Sequence, residues 1–372
     1  MNDGDFDLDP SILYLNHAAV SPWPRRTVDA VQAFARENGR LGSRHYDRWL
    51  QTEQALREQL TQLVNASGSD EIALLKSTSE ALSVVAWGLD WRPGDKVVIS
   101  DQEFPSNRIV WESLAPLGVE LVEVDLGAGA SPEQALIGAF DARTRLLAIS
   151  SVQYATGLKL DLERLGQACR AHDLLFCVDA IQSLGAVPFD VQACQADFVA
   201  ADGHKWMTGP EGLALFWCRR EWIPRLRLHQ FGWHMVEAMG EFDRRDWAPA
   251  ADARRFECGS PNMLGIQALH ASLSLLLDLG IENIHEAISR NIRYLIELLG
   301  NKVDFISDTN SGRLAGILTF RPPDQDLRAR YAHLQAAGVV CALRGGGIRF
   351  SPHYYTPRPV LERAVDILLE PL

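Results

Sequence analysis

The feature that most constrains this chain is a regular alternation between residues 70 and 220, where short apolar runs are separated by longer amphipathic segments. The runs are "KVVIS" (96 to 100), "VELVEV" (119 to 124), "RLLAIS" (145 to 150), "LLFCVDA" (174 to 180), "DFVAA" (197 to 201) and "LALFW" (213 to 217). Continuous apolar runs of this length suit strands buried on both faces, and helical patterns such as "LERLGQACRAHD" supply the covering layers. The pattern predicts an α/β fold with a mostly parallel sheet covered by helices. Ligands of such sheets collect at the carboxyl ends of the strands, so polar residues just after each run are the functional candidates.

Around this core, residues 24 to 66 read as two helices, the second with Ser43 as its N-cap. "GSPN" (259 to 262) introduces a long helix, and residues 284 to 372 alternate helices with weaker strands. The expected organisation is a large α/β domain over 21–258, with 1–20 and 259–372 forming a smaller α+β domain. No internal repeat or low-complexity segment interrupts it.

Composition narrows the function. With 372 residues, 47% of them hydrophobic, the chain can bury a large core. Its net charge of -12 argues against nucleic acid and anionic membranes as partners, leaving a small molecule or another subunit. The start "MNDGDFDLDP" is the opposite of a basic secretory leader, and "ALHASLSLLLDLGI" is broken by His270 and Asp278 and too short to span a bilayer. A cytoplasmic protein without a transmembrane span is expected. Six cysteines without C-x-x-C spacing read as reduced core residues. His229 and His234 fall on different faces of a helix and no H-E-x-x-H occurs, so no metal site is expected.

At the run ends stand Thr78, Ser79 and Glu80 in "LLKSTSEAL", Glu103 and Phe104 in "DQEFPSN", Gln153 in "SVQYATG", Asp179 and Gln182 in "VDAIQS", and His204 with Lys205 in "ADGHKWMTGPEG". "STSE" is a helix N-cap signal, and the same geometry leaves backbone N–H groups and a positive dipole end for a phosphate. Asp179 either caps a following helix or faces the ligand crevice. Lys205 is either a snorkelling surface residue or a chemical group.

The ordered set Thr-Ser-Glu, Glu-Phe-Pro-Ser-Asn, Val-Asp-Ala-x-Gln, Gly-His-Lys and Arg-Phe-Glu-x-Gly-Ser-Pro-Asn resembles the class V aminotransferase family of pyridoxal-phosphate (PLP) enzymes. That family includes cysteine desulfurases, isopenicillin N epimerase-like proteins and kynureninases. The resemblance runs from "YLNHAAVSP" (14 to 22) to "GIRFSPHYYTP" (347 to 357) and implies PLP fold type I for the large domain. It further implies that Lys205 carries the cofactor covalently and that Asp179 faces the pyridine nitrogen. Gln182 and Gln153 match groups on the ring hydroxyl, Phe104 the residue against the ring, and Thr78, Ser79, His204 and Asp202 the phosphate positions. Ser260, in "CGSPN", matches a residue reaching the neighbouring subunit's phosphate, which implies a homodimer with a shared active site. Arg349 matches the arginine that grips the substrate carboxylate. His17 joins it as a substrate-binding candidate, with Trp23, Arg44, Tyr46, Trp233 and His234 beside it at the expected entrance.

Two departures bear on the reaction. Desulfurases resemble one another in a loop bearing a catalytic cysteine just before this arginine, whereas this chain runs "CALRGGGIRF" directly into Arg349, with Cys341 inside an apolar run. Phe104 stands where desulfurases carry histidine; it can stack but cannot move a proton, which leaves Lys205 as the acid and base. The expectation is a PLP enzyme that deprotonates the α-carbon of an amino acid or amine, foremost an aminotransferase. The alternatives are a lyase of the same family, such as one cleaving a C–S bond without a catalytic cysteine, or an epimerase. A catalytically inactive binding relative is the non-enzyme alternative, opposed by the joint retention of Lys205, Asp179, His204 and Arg349. A nucleotide-binding protein is opposed by the lack of G-x-x-x-x-G-K-[ST].

Overall fold

The computed structural model describes residues 3–309, 312–322 and 326–372. In chain order, strand β1 (Leu13–Tyr14) and helices α1 (Arg25–Leu41) and α2 (Tyr46–Val64) precede β2 (Ile72–Leu75) and α3 (Thr78–Gly88). Then β3 (Lys96–Ser100), α4 (Ser106–Glu112), β4 (Glu120–Val124), α5 (Pro132–Gly138), β5 (Thr144–Ser150), α6 (Leu162–Ala171) and β6 (Leu175–Asp179) alternate, followed by β7 (Phe198–Asp202) and β8 (Ala214–Cys218). Helices α7 (Met263–Leu279) and α8 (Ile281–Leu299) lead into β9 (Asp304–Phe305), β10 (Leu318–Arg321), α9 (Leu327–Ala336), β11 (Val339–Val340), β12 (Ala342–Arg344), β13 (Gly347–Phe350) and α10 (Arg358–Leu369).

The apolar runs build a seven-stranded sheet in the order β2-β8-β7-β6-β5-β3-β4, parallel from β4 through β7, with β8 antiparallel to both of its neighbours. Strands β6, β7 and β8 are buried at every position, as continuous apolar runs demand. Two apolar clusters, one on each face, complete the three layers: Leu147, Phe176 and Val199 point one way, and Ala148, Cys177 and Ala200 the other. Because β3, β5, β6 and β7 run in one direction, Ser100, Ser150, Asp179 and Asp202 end on the same edge.

The smaller part is a four-stranded antiparallel sheet, β12-β13-β10-β9, with α8, α9 and α10 packed around it. β1 runs parallel to β11, and the His17 N–H donates to the Ser351 carbonyl (3.2 Å), so the start of the chain is sewn to its end. Helix α7 lies on α1 and α2, where the Thr27 and Ser272 hydroxyls meet at 2.6 Å. Among the described residues no single helix is long and apolar enough to cross a membrane.

Two local expectations change. Ser43 does not cap the second helix: His45 takes the N-cap position, and Ser43 only offers its carbonyl to the Tyr46 N–H. Asp179 caps no helix; its carboxylate accepts the Ile181 N–H (3.0 Å) in a local turn, leaving the rest of the group to the crevice.

Candidate active site

At the carboxyl edge of the sheet lies a cavity of about 310 Å³. Its wall brings together Thr78, Ser79, Phe104, Asp179, Gln182, Asp202, His204, Lys205 and Arg349, nine of the residues singled out by sequence. A larger, open groove of about 940 Å³ beside Leu63, Lys159 and Arg313 contains none of them. The smaller cavity is therefore the site, because chemical groups converge there.

Each group is placed by its element. Ser77 caps α3 by accepting the Glu80 N–H (3.2 Å), while Glu80 turns back to take the Lys76 N–H (2.6 Å). The helix thus starts at the cavity with Thr78 and Ser79, and the Ser79 hydroxyl donates to Ser106 (2.9 Å) across the gap to α4. The Asp202 N–H donates to the Thr78 hydroxyl (3.0 Å), fixing the end of β7 against the same helix start. His204 Nδ1 lies 2.8 Å from Asp202 Oδ1, a close approach lacking hydrogen-bond alignment.

Lys205 is only 8% exposed, and its amine lies 5.5 Å from the Phe104 ring centroid. Burial pushes its pKa down, opposed by the Asp179 carboxylate and reinforced by Arg349. Asp179, 2% exposed, is pushed up by burial, with the Ile181 N–H and Lys205 pulling the other way. Phe104 packs edge-on to Tyr154 at 5.2 Å. The Tyr154 carbonyl in turn accepts from Arg349 Nη1 (2.7 Å).

Arg349 sits on β13 beside a two-residue hairpin turn. Gly345 and Gly346 have φ of 58° and 76°, left-handed values that a tight hairpin requires and glycine takes without strain. The turn leaves no room for an overhanging loop. Burial lowers the Arg349 pKa to about 10, and its Nε is buried without a partner. Such a cation awaits an anion. No cysteine lines the cavity; Cys341 is 3% exposed, and burial pushes its thiol up to about 12.

Several expected residues lie elsewhere. Gln153 is fully buried behind the wall, its amide nitrogen donating to Glu103 (3.2 Å) and the Ser150 carbonyl (3.4 Å). Glu103 also takes the Ser100 hydroxyl and the Ser150 and Asn107 N–H groups, so the carboxylate binds Gln153 into a packed hub. His17 is not at an entrance: it is fully buried, with Nδ1 2.8 Å from the Ser351 carbonyl and Nε2 2.6 Å from the Tyr355 hydroxyl. Burial lowers its pKa to about 4. Trp23 donates to the Gly209 carbonyl (3.2 Å), and neither it nor Arg44, Tyr46 or Trp233 lines the cavity. Ser260 sits on an exposed loop outside this cavity.

His234 belongs to a buried cluster with Glu53 and Glu257, whose ligand atoms lie within 4.8 Å of one another. Arg57 occupies that charge centre, holding each carboxylate at 2.6 Å, so the cluster is an ion-pair network between α2 and the loop after β8. The polar wall residues that sequence reasoning passed over are Ser77, Ser106, Tyr154, Glu211 and Arg344. Each lies inside a quoted motif: Ser77 in "LLKSTSEAL", Ser106 in "DQEFPSN", Tyr154 in "SVQYATG", Glu211 in "ADGHKWMTGPEG" and Arg344 in "CALRGGGIRF".

The inventory fits one cofactor. A helix N-terminus ringed by hydroxyls suits a phosphate, a buried carboxylate suits a pyridine nitrogen, and a desolvated lysine suits an aldehyde. Sheet order and cavity together define a PLP-dependent enzyme of fold type I. The family model for aminotransferase class-V matches residues 13–349, and the chain belongs to that family.

The chain is 31% identical over 385 aligned positions to a probable cysteine desulfurase of Methanothermobacter thermautotrophicus, covering 96% of this chain and 94% of that protein. It is 30% identical to a cysteine desulfurase of Salmonella typhimurium over 83% of this chain and 77% of the other. Among solved structures, the cysteine desulfurase CsdA of Escherichia coli superposes with a TM-score of 0.88 at 22% identity, over 99% and 97% of the two chains. The cystine C–S lyase C-DES, in complex with its product cysteine persulfide, superposes with a TM-score of 0.87 at 24% identity, over 96% and 97%.

Proposed function

We propose that this PLP enzyme is a lyase that removes the α-proton of a cysteine-type amino acid and expels the sulfur at the β-carbon, without a protein persulfide. The observation that carries the reading is the two-residue turn at Gly345–Gly346, which leaves the cavity without a cysteine thiol to receive sulfur. The relatives named as cysteine desulfurases and the C–S lyase C-DES favour C–S cleavage over the transamination expected from sequence.

In this reading Thr78, Ser79, Ser106 and His204 hold the PLP phosphate, Asp179 its ring nitrogen, Gln182 its ring oxygen, and Lys205 its aldehyde carbon. Bound PLP supplies an electron sink for the pair left when the α-proton departs. Arg349 binds the substrate carboxylate, which supplies the missing partner of its buried guanidinium. Lys205, once substrate displaces it, takes the α-proton as a neutral amine; burial favours that form. The C–S bond then breaks with its electron pair on sulfur, and the Lys205 ammonium returns a proton to the leaving group. The released enamine hydrolyses to pyruvate and ammonia.

The test is to incubate the PLP-loaded enzyme with L-cysteine or L-cystine, no keto acid being added, and to assay pyruvate, ammonia and sulfide or persulfide. Stoichiometric pyruvate and reduced sulfur support the lyase. Conversion of the cofactor to its amine form with release of the substrate's keto acid would return the assignment to an aminotransferase, and accumulation of the D-enantiomer would make it an epimerase.

A further inference from the structure

Two glutamines were expected at the cofactor's ring oxygen, and the structure gives them opposite polarity. The Gln153 amide nitrogen is spent on Glu103 and the Ser150 carbonyl, which are acceptors, and its Oε1 is buried without a partner. Gln153 can therefore only accept, and it does not reach the cavity wall. Gln182 does line the wall. Its Oε1 accepts the indole N–H of Trp206 (3.0 Å), and its Nε2 donates to the Ala18 carbonyl (3.0 Å). Both partners are single-valued, since an indole N–H cannot accept and a carbonyl cannot donate, so the amide has one orientation. The hydrogen left over is the second N–H of Nε2.

We propose that Trp206, fully buried directly after Lys205, is a positioning residue: its indole N–H locks Gln182 so that an amide N–H is presented to the cofactor's ring oxygen. This rests on the PLP reading above. An N–H on that oxygen stabilises negative charge there and so lowers the proton affinity of the lysine–cofactor linkage, which shares its proton with the same oxygen. Without the indole N–H the amide is held only through Nε2 by the Ala18 carbonyl, its second N–H meets the cofactor's oxygen less often, and the linkage would hold its proton to higher pH.

The readout is the pH midpoint of the visible absorbance band of the PLP-loaded protein. The charged and titratable groups sharing the cavity wall with Lys205 are Asp179 on β6, Asp202 on β7, His204 and Glu211 in the segment between β7 and β8, Tyr154 after β5, Arg344 on β12 and Arg349 on β13, and all are retained in every variant. Trp206→Phe keeps the ring bulk and removes the N–H; because the Ala18 carbonyl still holds Nε2, its midpoint rises by up to about one pH unit, the scale of one charge-assisted hydrogen bond. Gln182→Ala rises at least as far, and the double variant rises no further than Gln182→Ala alone, because the indole acts only through the amide. Gln182→Glu keeps an acceptor for Trp206 but turns an oxygen to the cofactor, and its midpoint rises above that of Gln182→Ala. An unmoved midpoint in Trp206→Phe, or additive shifts in the double variant, overturns the proposal. Should Trp206→Phe not fold, a Gln182→Glu midpoint at or below the wild-type value overturns it. A wild-type protein showing no such band with PLP would instead strike the cofactor assignment itself.

Discussion

Replacing Arg349 by methionine separates what this residue does for substrate from what it costs the fold. The guanidinium is 2% exposed, donates once, to the Tyr154 carbonyl (2.7 Å), and leaves Nε without a partner. Burial lowers its pKa from 12.5 to about 10, so the folded protein disfavours the charged form by about 3 kcal/mol at neutral pH. Methionine removes that penalty and fills similar volume. It also removes a charge-assisted hydrogen bond worth about 1.5 kcal/mol, so the expected net gain is about 1–2 kcal/mol. The urea midpoint of the PLP-free protein, at fixed protein concentration, should rise. The kcat/KM for pyruvate formation should fall by about three orders of magnitude with the two-pronged carboxylate contact. A lower urea midpoint would show that the cation is already compensated in the fold, and an unchanged kcat/KM would remove it from substrate binding.

Lys205→Ala should keep the fold while losing covalent PLP, read as the absence of a borohydride-stable cofactor adduct by mass spectrometry; an adduct elsewhere would displace Lys205 from its role. Cys341→Ala should leave turnover within about twofold of wild type, since the thiol is buried and held protonated; loss of turnover in a folded variant would reinstate a cysteine-borne sulfur step. His17 is neutral in the fold because burial lowers its pKa from 6.5 to about 4, so its contribution is intact above pH 6.5 and drains away as pH falls toward 4. That amounts to about 3 kcal/mol. Unfolding free energies compared at pH 7 and pH 4.5 should show a smaller acid loss in His17→Gln than in wild type, and equal losses would refute the account.

The sheet was legible because its strands are buried on both faces and therefore uninterrupted by polar residues: "KVVIS" is β3 itself, and the other five runs match β4 to β8 within one residue at either end. β2 is shorter and was visible only as the flank of "STSE"; it lies at the sheet edge, where its Leu74 N–H is taken by Glu257, a partner 183 residues away. Seven of the nine wall residues could be named because each ends or follows a strand whose direction is fixed by its neighbours, while Asp202 and Arg349 were pointed to by the family resemblance. His17 and Gln153 were misplaced because polarity in sequence does not say whether a side chain faces a cavity or a buried partner. His17 is held by Ser351 and Tyr355, and Gln153 by Glu103, contacts that only the folded chain reveals. The orientation of Gln182 was equally hidden, since it depends on one indole N–H.

The pairing of β1 with β11, and of His17 with Ser351, imposes an order of events on synthesis. Residues 13 to 17 leave the ribosome before their partners at 339 to 351, which come more than 300 residues later. At roughly 5–20 residues per second, that is a wait of tens of seconds. Through that interval the large sheet can assemble, because each parallel strand finds its neighbour within the stretch already made, while the Leu13–Asn16 segment stays unpaired. Closure of residues 13 to 17 onto 339 to 351 therefore waits for the later segment, and it brings together the two buried imidazoles of His17 and His353, with rings 5.2 Å apart.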